Sequence, residues 1–252
     1  MSINKNKLKQ QISRLYKLIP SFSDPYSLRV LLYHSISKKN NYDNLWALNI
    51  ENFKSHLDYL LSSKHDIYAA ESLERIIPKN GYVITFDDGL IDNFEFAAPE
   101  LLTRKIPFTI FVIANELKQS NNKYLSASML RELSENSLVN IGSHSFNHIR
   151  LDQCSAKQLE HEIFSSKSYL EDLTGKEISL FSYPFGAYNN LVKSSVRSAG
   201  YKLAFTSNFN VNNFKQDKFL LNRNEIWSTD NLKFFKQKLD GDWDWLKYRI
   251  TL

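Results

Sequence analysis

The sequence predicts an α/β fold built from parallel strands with helical crossovers. Three observations carry this expectation. Short apolar runs of strand character alternate with helix-period segments along the chain. The chain has 252 residues, 42% of them hydrophobic, which is enough for a full core in one large domain. Chemistry-bearing residues fall directly after apolar runs, as they should where function gathers at the carboxyl ends of strands. An open doubly wound sheet and a closed barrel both satisfy this pattern.

The elements are read in chain order. Residues 1–20, MSINKNKLKQQISRLYKLIP, interleave basic residues with Leu8, Ile12, Leu15, Leu18 and Ile19, the pattern of an amphipathic basic helix. Such a helix either packs on the outside of the domain or rests on the inner face of a membrane. Strands are expected at residues 29–33, 82–86, 108–113, 139–142, 178–182, 202–206 and 220–225. Helices are expected at 51–62, 90–104, 127–135, 155–173, 190–199 and 232–239. The longest has clear punctuation, with Ser155 able to cap its start and Gly175 able to end it. Residues 28–228 form the main domain, and 229–252 form a helix and tail packed on it. In that tail, Trp243, Trp245 and Leu246 pin the chain end by apolar burial.

Composition narrows the function classes. The formal charge of +5 is spread along the chain, which does not suggest a nucleic-acid binder. Cys154 is the only cysteine, so no intramolecular disulfide can form. No continuous apolar core precedes a small-residue cleavage site, and no run is long enough to span a membrane. The expected location is therefore the cytoplasm, or the inner membrane face if the N-terminal helix docks there.

Three strand ends carry chemistry. YVITFDDGL ends an apolar run in two adjacent carboxylates, Asp87 and Asp88. Adjacent carboxylates repel and need a cation or hydrogen bonds near a core, although a DG pair is also a common turn. IGSHSFNH places His144 and His148 four residues apart; if the segment turns helically both imidazoles lie on one face and can share a metal, and otherwise they are two surface histidines. Two imidazoles and one carboxylate make a three-ligand set of the catalytic zinc type, with a second carboxylate left for proton transfer. LFSYPFGAYN ends a third strand. Pro184 and Gly186 shape a loop whose backbone N–H groups suit a carbonyl oxygen gaining charge. Tyr183, Phe185 and Tyr188 either line a sugar-binding groove or form a plain aromatic turn.

In this order, TFDDG at 85–89, HSFNH at 144–148 and YPFG at 183–186 resemble the first three motifs of the polysaccharide deacetylases, the NodB-homology family or carbohydrate esterase family 4. The resemblance implies a distorted (β/α)7 barrel, a divalent metal, and hydrolysis of an N-acetyl or O-acetyl group on a sugar. By position, Asp87 matches the catalytic base and Asp88, His144 and His148 match the metal ligands. Zinc is favoured by the imidazoles, and cobalt or nickel can substitute. The Phe185 N–H matches the oxyanion donor, and Tyr183, Pro184 and Tyr188 fall in the substrate-binding loop.

Two departures from the family pattern stand out. Many members carry an arginine two residues before the proline of the third motif, where it holds the base. Here that position is Ser182, and Arg223 in LLNRNEI is the candidate replacement. Many members also take a general acid from a late histidine, and this chain has none after His161. LLYHSI at 31–36 resembles the early histidine motif of the branch that acts on poly-β-1,6-N-acetylglucosamine, which makes His34 the candidate acid. His56, His65 and His161 are read as structural.

The expected function is metal-dependent removal of an acetyl group from an N-acetylated sugar of a surface glycan or its lipid- or nucleotide-linked precursor. The alternatives are a catalytically silent carbohydrate-binding barrel and a deacylase of a non-sugar amide.

Overall fold

The apolar runs become strands in the computed structural model, which describes residues 27–40, 43–119 and 121–248. The expected helix at 1–20 lies outside these residues. In chain order the strands are β1 (Leu28–Tyr33), β2 (Ser35–Ser37), β3 (Ala47–Asn49), β4 (Gly81–Phe86), β5 (Phe108–Val112), β6 (Val139–Ser143), β7 (Leu180–Ser182), β8 (Leu203–Phe205) and β9 (Asn224–Glu225). Seven of them form one parallel sheet in the order β8-β7-β6-β5-β4-β1-β9. β2 and β3 form a separate parallel pair that the sequence does not announce, since three residues each are too few to show a period.

The sheet curls into a distorted (β/α) barrel. β9 pairs with β1 through Leu31↔Asn224 and Leu32↔Glu225. A few residues earlier, Leu221 bridges Phe205 at the opposite edge. One short stretch therefore touches both outer strands and joins them. Pairing at both edges, by two residues on β1 and one bridge on β8, shortens the exposed ladder of an open sheet.

Strand periodicity decides what lies inside. Leu28, Val30, Val83, Phe111, Leu180, Leu203, Phe205 and Leu221 pack together in the interior. The same inward-facing series run on to polar residues at the carboxyl ends. Val83 is followed two residues at a time by Thr85 and Asp87, Val30 by Leu32 and His34, and Leu180 by Ser182. The outward faces pack on the surrounding helices in a larger cluster with Phe53, Leu57, Leu101, Leu130 and Leu170.

The helices follow local signals. Ser155 accepts from Gln158 N while Gln158 reaches back to the Ser155 N–H, completing a capping box. Gly175 closes that run in the left-handed region at φ 68°. Two runs contain wide π-helical turns, Asn93–Ala97 and Glu160–Ser165. The C-terminal helix spans Leu232–Leu239. After it, Trp243 and Leu246 are buried with Phe209 and Trp227, while Trp245 packs on the same cluster. Asp244 adds a buried two-pronged ion pair to Arg29 of β1, at 2.9 and 3.0 Å. Among the described residues no helix is long and apolar enough to cross a membrane.

Candidate active site

A cleft of about 500 Å³ opens at the carboxyl ends of the strands. Asp87, Asp88, His144, His148, Arg223 and His34 all line it. These residues come from the ends of β4, β6, β9 and β1, so the sheet, rather than chain proximity, assembles the site.

Asp87 is buried, and its backbone N–H donates to Tyr33 O, which ties the end of β4 to the end of β1. Arg223 Nη1 donates to Asp87 Oδ1 and Nη2 to Oδ2, each at 2.7 Å. Ser182 Oγ accepts from Arg223 Nη2 at 2.8 Å and donates to Asp87 Oδ2 at 3.1 Å. Arg223 Nε donates to Thr206 O, and Nη1 also reaches Thr85 Oγ1. All five guanidinium N–H donors thus have acceptors, which is how a fully buried arginine is tolerated. Burial pushes the Asp87 carboxyl up. The Arg223 charge and the Arg223 hydrogen bonds more than reverse this and hold it well below the usual carboxylate range.

Asp88, His144 and His148 each offer one ligand atom, all within 4.8 Å of one another. Asp88 Oδ1 lies 3.6 Å from both His144 Nε2 and His148 Nε2. That is too long for a hydrogen bond, but near the roughly 3.4 Å that separates two tetrahedral ligands each about 2.1 Å from a shared ion. His144 Nδ1 contacts Ser182 O at 2.9 Å. A carbonyl can only accept, so Nδ1 carries the proton and Nε2 keeps its lone pair for a cation. Burial, and then the neighbouring His144, push His148 well below its ordinary value, so the His148 imidazole is neutral at pH 7. The donor chemistry fits a divalent metal.

The loops that present these groups are strained where the chemistry is. Asp88 (φ 73°), Ser145 (φ 64°), His148 (φ 55°) and Phe185 (φ 59°) occupy the left-handed region. Each costs on the order of 1–3 kcal/mol and persists only where its surroundings enforce it. Gly89, at φ 68°, follows Asp88 in the same region, and a Cβ there would stand 2.8 Å from Val112 Cγ1. Around the histidines the enforcing groups are visible. Ser145 Oγ accepts from His148 N at 3.0 Å. Buried Glu162 accepts from Phe146 N, Asn147 N and Asn147 Nδ2 at 3.2, 2.9 and 2.7 Å.

His34 stands at the end of β1 with its ring 4.6 Å from that of Trp46. Burial lowers its pKa, and the Asp87 and Asp88 charges oppose that shift. The third-motif residues divide between the cleft and the core. Phe185 is 59% exposed and its ring lies 4.6 Å from that of His148. Tyr183 also lines the cleft, but it is fully buried and its hydroxyl donates to Phe219 O at 3.0 Å. Pro184 is buried and Tyr188 packs against the core beside Tyr183, so neither lines the cleft. The aromatic walls come from Trp46, Phe185 and Trp227, and Glu225 also lines the cleft.

Sequence reasoning missed Trp46, Trp227, Glu225 and Glu162. For two of them a signal exists. Leu221 faces the interior and Arg223 the site, so the same alternation sends Glu225 and Trp227 to the cleft. Ser182 facing Asp87 likewise implies that the Tyr183 ring packs into the core. The other structural histidines are placed as expected. His56 is buried against Asp230 O, the His65 ring packs near Tyr82, and the His161 ring lies 4.5 Å from Phe146.

Comparison with known proteins agrees with this geometry. The polysaccharide deacetylase family pattern matches residues 76–204, which is just over half of the chain. The chain is 32% identical to the peptidoglycan-N-acetylglucosamine deacetylase of Bacillus cereus over 134 residues, covering 52% of this chain and 59% of that protein. It is 24% identical to the poly-β-1,6-N-acetyl-D-glucosamine N-deacetylase of Staphylococcus aureus over 210 residues, 71% and 72% of the two chains. Among solved structures, the Streptococcus pyogenes deacetylase PplD, in complex with acetate, superposes with a TM-score of 0.78 at 24% identity, covering 84% of this chain and 98% of that one. IcaB from Ammonifex degensii gives 0.72 at 22% identity, covering 88% and 97%. The barrel, the order of the strand-end motifs and the family match lead to one assignment: the chain belongs to the polysaccharide deacetylase family.

Proposed function

We propose that the chain is a metal-dependent N-deacetylase acting on N-acetylglucosamine units of a surface glycan or of its precursor. The observation that carries this reading is the juxtaposition of an arginine-held carboxylate, Asp87, with a separate Asp-His-His ligand set, His144 Nε2 lying 3.7 Å from Asp87 Oδ2. A pure binding module has no use for an ionised carboxylate held beside a cation site. The printed activities of the B. cereus and S. aureus relatives support an N-acetylated glucosamine polymer as substrate.

In this reading Asp88, His144 and His148 hold the metal, with zinc favoured by two imidazoles and cobalt or nickel as substitutes. Bound there, a zinc ion supplies Lewis acidity that lowers the pKa of water and polarises the acetyl carbonyl. Asp87 is ionised at neutral pH and accepts the proton of the attacking water. Arg223 and Ser182 fix its carboxylate plane, so no reorientation is needed at that step. The Phe185 N–H donates to the acetyl oxygen as negative charge develops. His34 donates a proton to the departing nitrogen, since an amine anion is a very poor leaving group.

The test is acetate release from N-acetylglucosamine oligosaccharides by the zinc-loaded protein, by the chelated protein and by His144→Ala. The reading expects turnover only in the first. Equal acetate release in all three would reject it.

A further inference from the structure

The His34 ring lacks the usual means of being aimed. Its Nδ1 is buried and has no hydrogen-bond partner among the described residues. A histidine that transfers a proton is commonly oriented through its second nitrogen. Here the orientation has to come from the chain itself, which is held at three successive residues, by backbone atoms of His34 and Ile36 and by the side chain of Ser35. Asn93 Nδ2 donates to His34 O at 2.7 Å. Ser35 Oγ donates to Asp92 Oδ2 at 2.6 Å. Ile36 N donates to Asp92 Oδ1 at 3.1 Å.

The clamp is itself rigid. Asn93 is fully buried, and its Nδ2 also donates to Asp92 Oδ1 at 3.0 Å. Its own Oδ1 is buried without a partner among the described residues. Turning the amide over would aim that oxygen at two other oxygens, so the donor end is forced toward His34. Asn93 also opens the π-helical turn Asn93–Ala97, a local widening frequent at functional sites. Asp92 and Asn93 follow Asp87 and Asp88 by a few residues on the same loop. One segment therefore carries the base, a metal ligand and the groups that hold the third participant.

We infer that Asp92 and Asn93 are positioning residues that hold His34 in register with Asp87, so that proton delivery to the leaving nitrogen depends on them. This rests on the reading of His34 as the acid, and the experiment separates the two. Zinc-loaded wild type, His34→Ala, Asn93→Asp and Ser35→Ala are compared on the tetramer of N-acetylglucosamine and on 4-nitrophenyl acetate, with zinc content measured for each. The nitrophenolate leaves without protonation, so a misplaced acid affects only the amide.

The inference expects Asn93→Asp to keep its zinc and lose at least ~10-fold on the amide, toward the ~100-fold that misplacement by about 1 Å can cost. Its rate on the ester should change less than ~3-fold. Ser35→Ala, which removes one of the three bonds, should show a smaller loss in the same direction, and it decides the matter if Asn93→Asp does not fold. An amide-selective loss in His34→Ala, with neither clamp variant showing one, overturns the inference alone. Equal losses on both substrates in His34→Ala overturn the reading of His34 and the inference with it.

Discussion

Arg223 and Asp87, 136 residues apart in the chain, form a two-pronged ion pair in which both N···O distances are 2.7 Å. The pair is buried, with both side chains almost fully withdrawn from solvent. Ser182 stands where the motif resemblance leads one to expect an arginine, and Arg223, just before β9, takes that place beside Asp87. The serine hydroxyl then bridges the two partners, so the substitution at one strand end is answered from another.

This arrangement makes a stability prediction. Removing the guanidinium leaves a buried carboxylate without its counter-charge, which costs about 3–5 kcal/mol. Arg223→Ala should show that loss in urea unfolding of the metal-free protein. Arg223→Lys restores a charge but not the planar fork, so it should recover part of the stability while turnover stays low. A loss below about 1 kcal/mol in Arg223→Ala would mean the pair contributes little.

Glu162 should govern metal affinity without touching the metal. Its carboxylate takes three N–H groups from the loop between His144 and His148. Glu162→Gln puts a donor where an acceptor is needed and loosens the approach of His148. Groups that orient ligands typically affect affinity 10- to 100-fold, and competition against a chromophoric chelator should show a fall in that range. Unchanged affinity would make Glu162 a packing residue only.

The same titration should show that His144→Ala and Asp88→Asn lose zinc, whereas Asp87→Asn retains it. Loss of zinc in Asp87→Asn would mean that the roles of the two aspartates are exchanged.

His56 gives stability a pH dependence away from the site. Its Nε2 donates to Asp230 O at 2.9 Å and its ring stacks on Phe235 at 3.8 Å. Burial, only partly offset by the Asp230 carbonyl, lowers its pKa to about 3. The unfolded chain takes up this proton near pH 6.5 and the folded chain does not. The contribution is therefore complete above pH ~6.5 and is lost as pH falls toward 3, at up to about 1.4 kcal/mol per pH unit. The stability gap between wild type and His56→Gln should narrow by roughly 2 kcal/mol from pH 7 to pH 5. A gap that stays constant would place the folded pKa near its ordinary value.

Much of the site is legible in the sequence because it lies at strand ends, where apolar runs stop abruptly. Asp87, Asp88, His144 and His148 announce themselves that way, and Arg223 is found by asking what could face a base that lacks its usual partner. Closure of the sheet is not legible, since it depends on Leu221 and Asn224 pairing with opposite edges. Asn93 and Glu162 are also hidden. Each lies within a π-helical turn, and a 3.6-residue period does not reveal where a helix widens. Trp46 reaches the cleft from a loop beside a three-residue strand too short to read.

The most direct test of the central claim is acetate release from N-acetylglucosamine oligosaccharides by wild type and Asp87→Asn, each loaded with one equivalent of zinc. Turnover by wild type, with a fall of at least ~100-fold in Asp87→Asn at equal zinc content, is the predicted result. Acetate release by zinc-loaded Asp87→Asn at the wild-type rate, or none by zinc-loaded wild type, would contradict it.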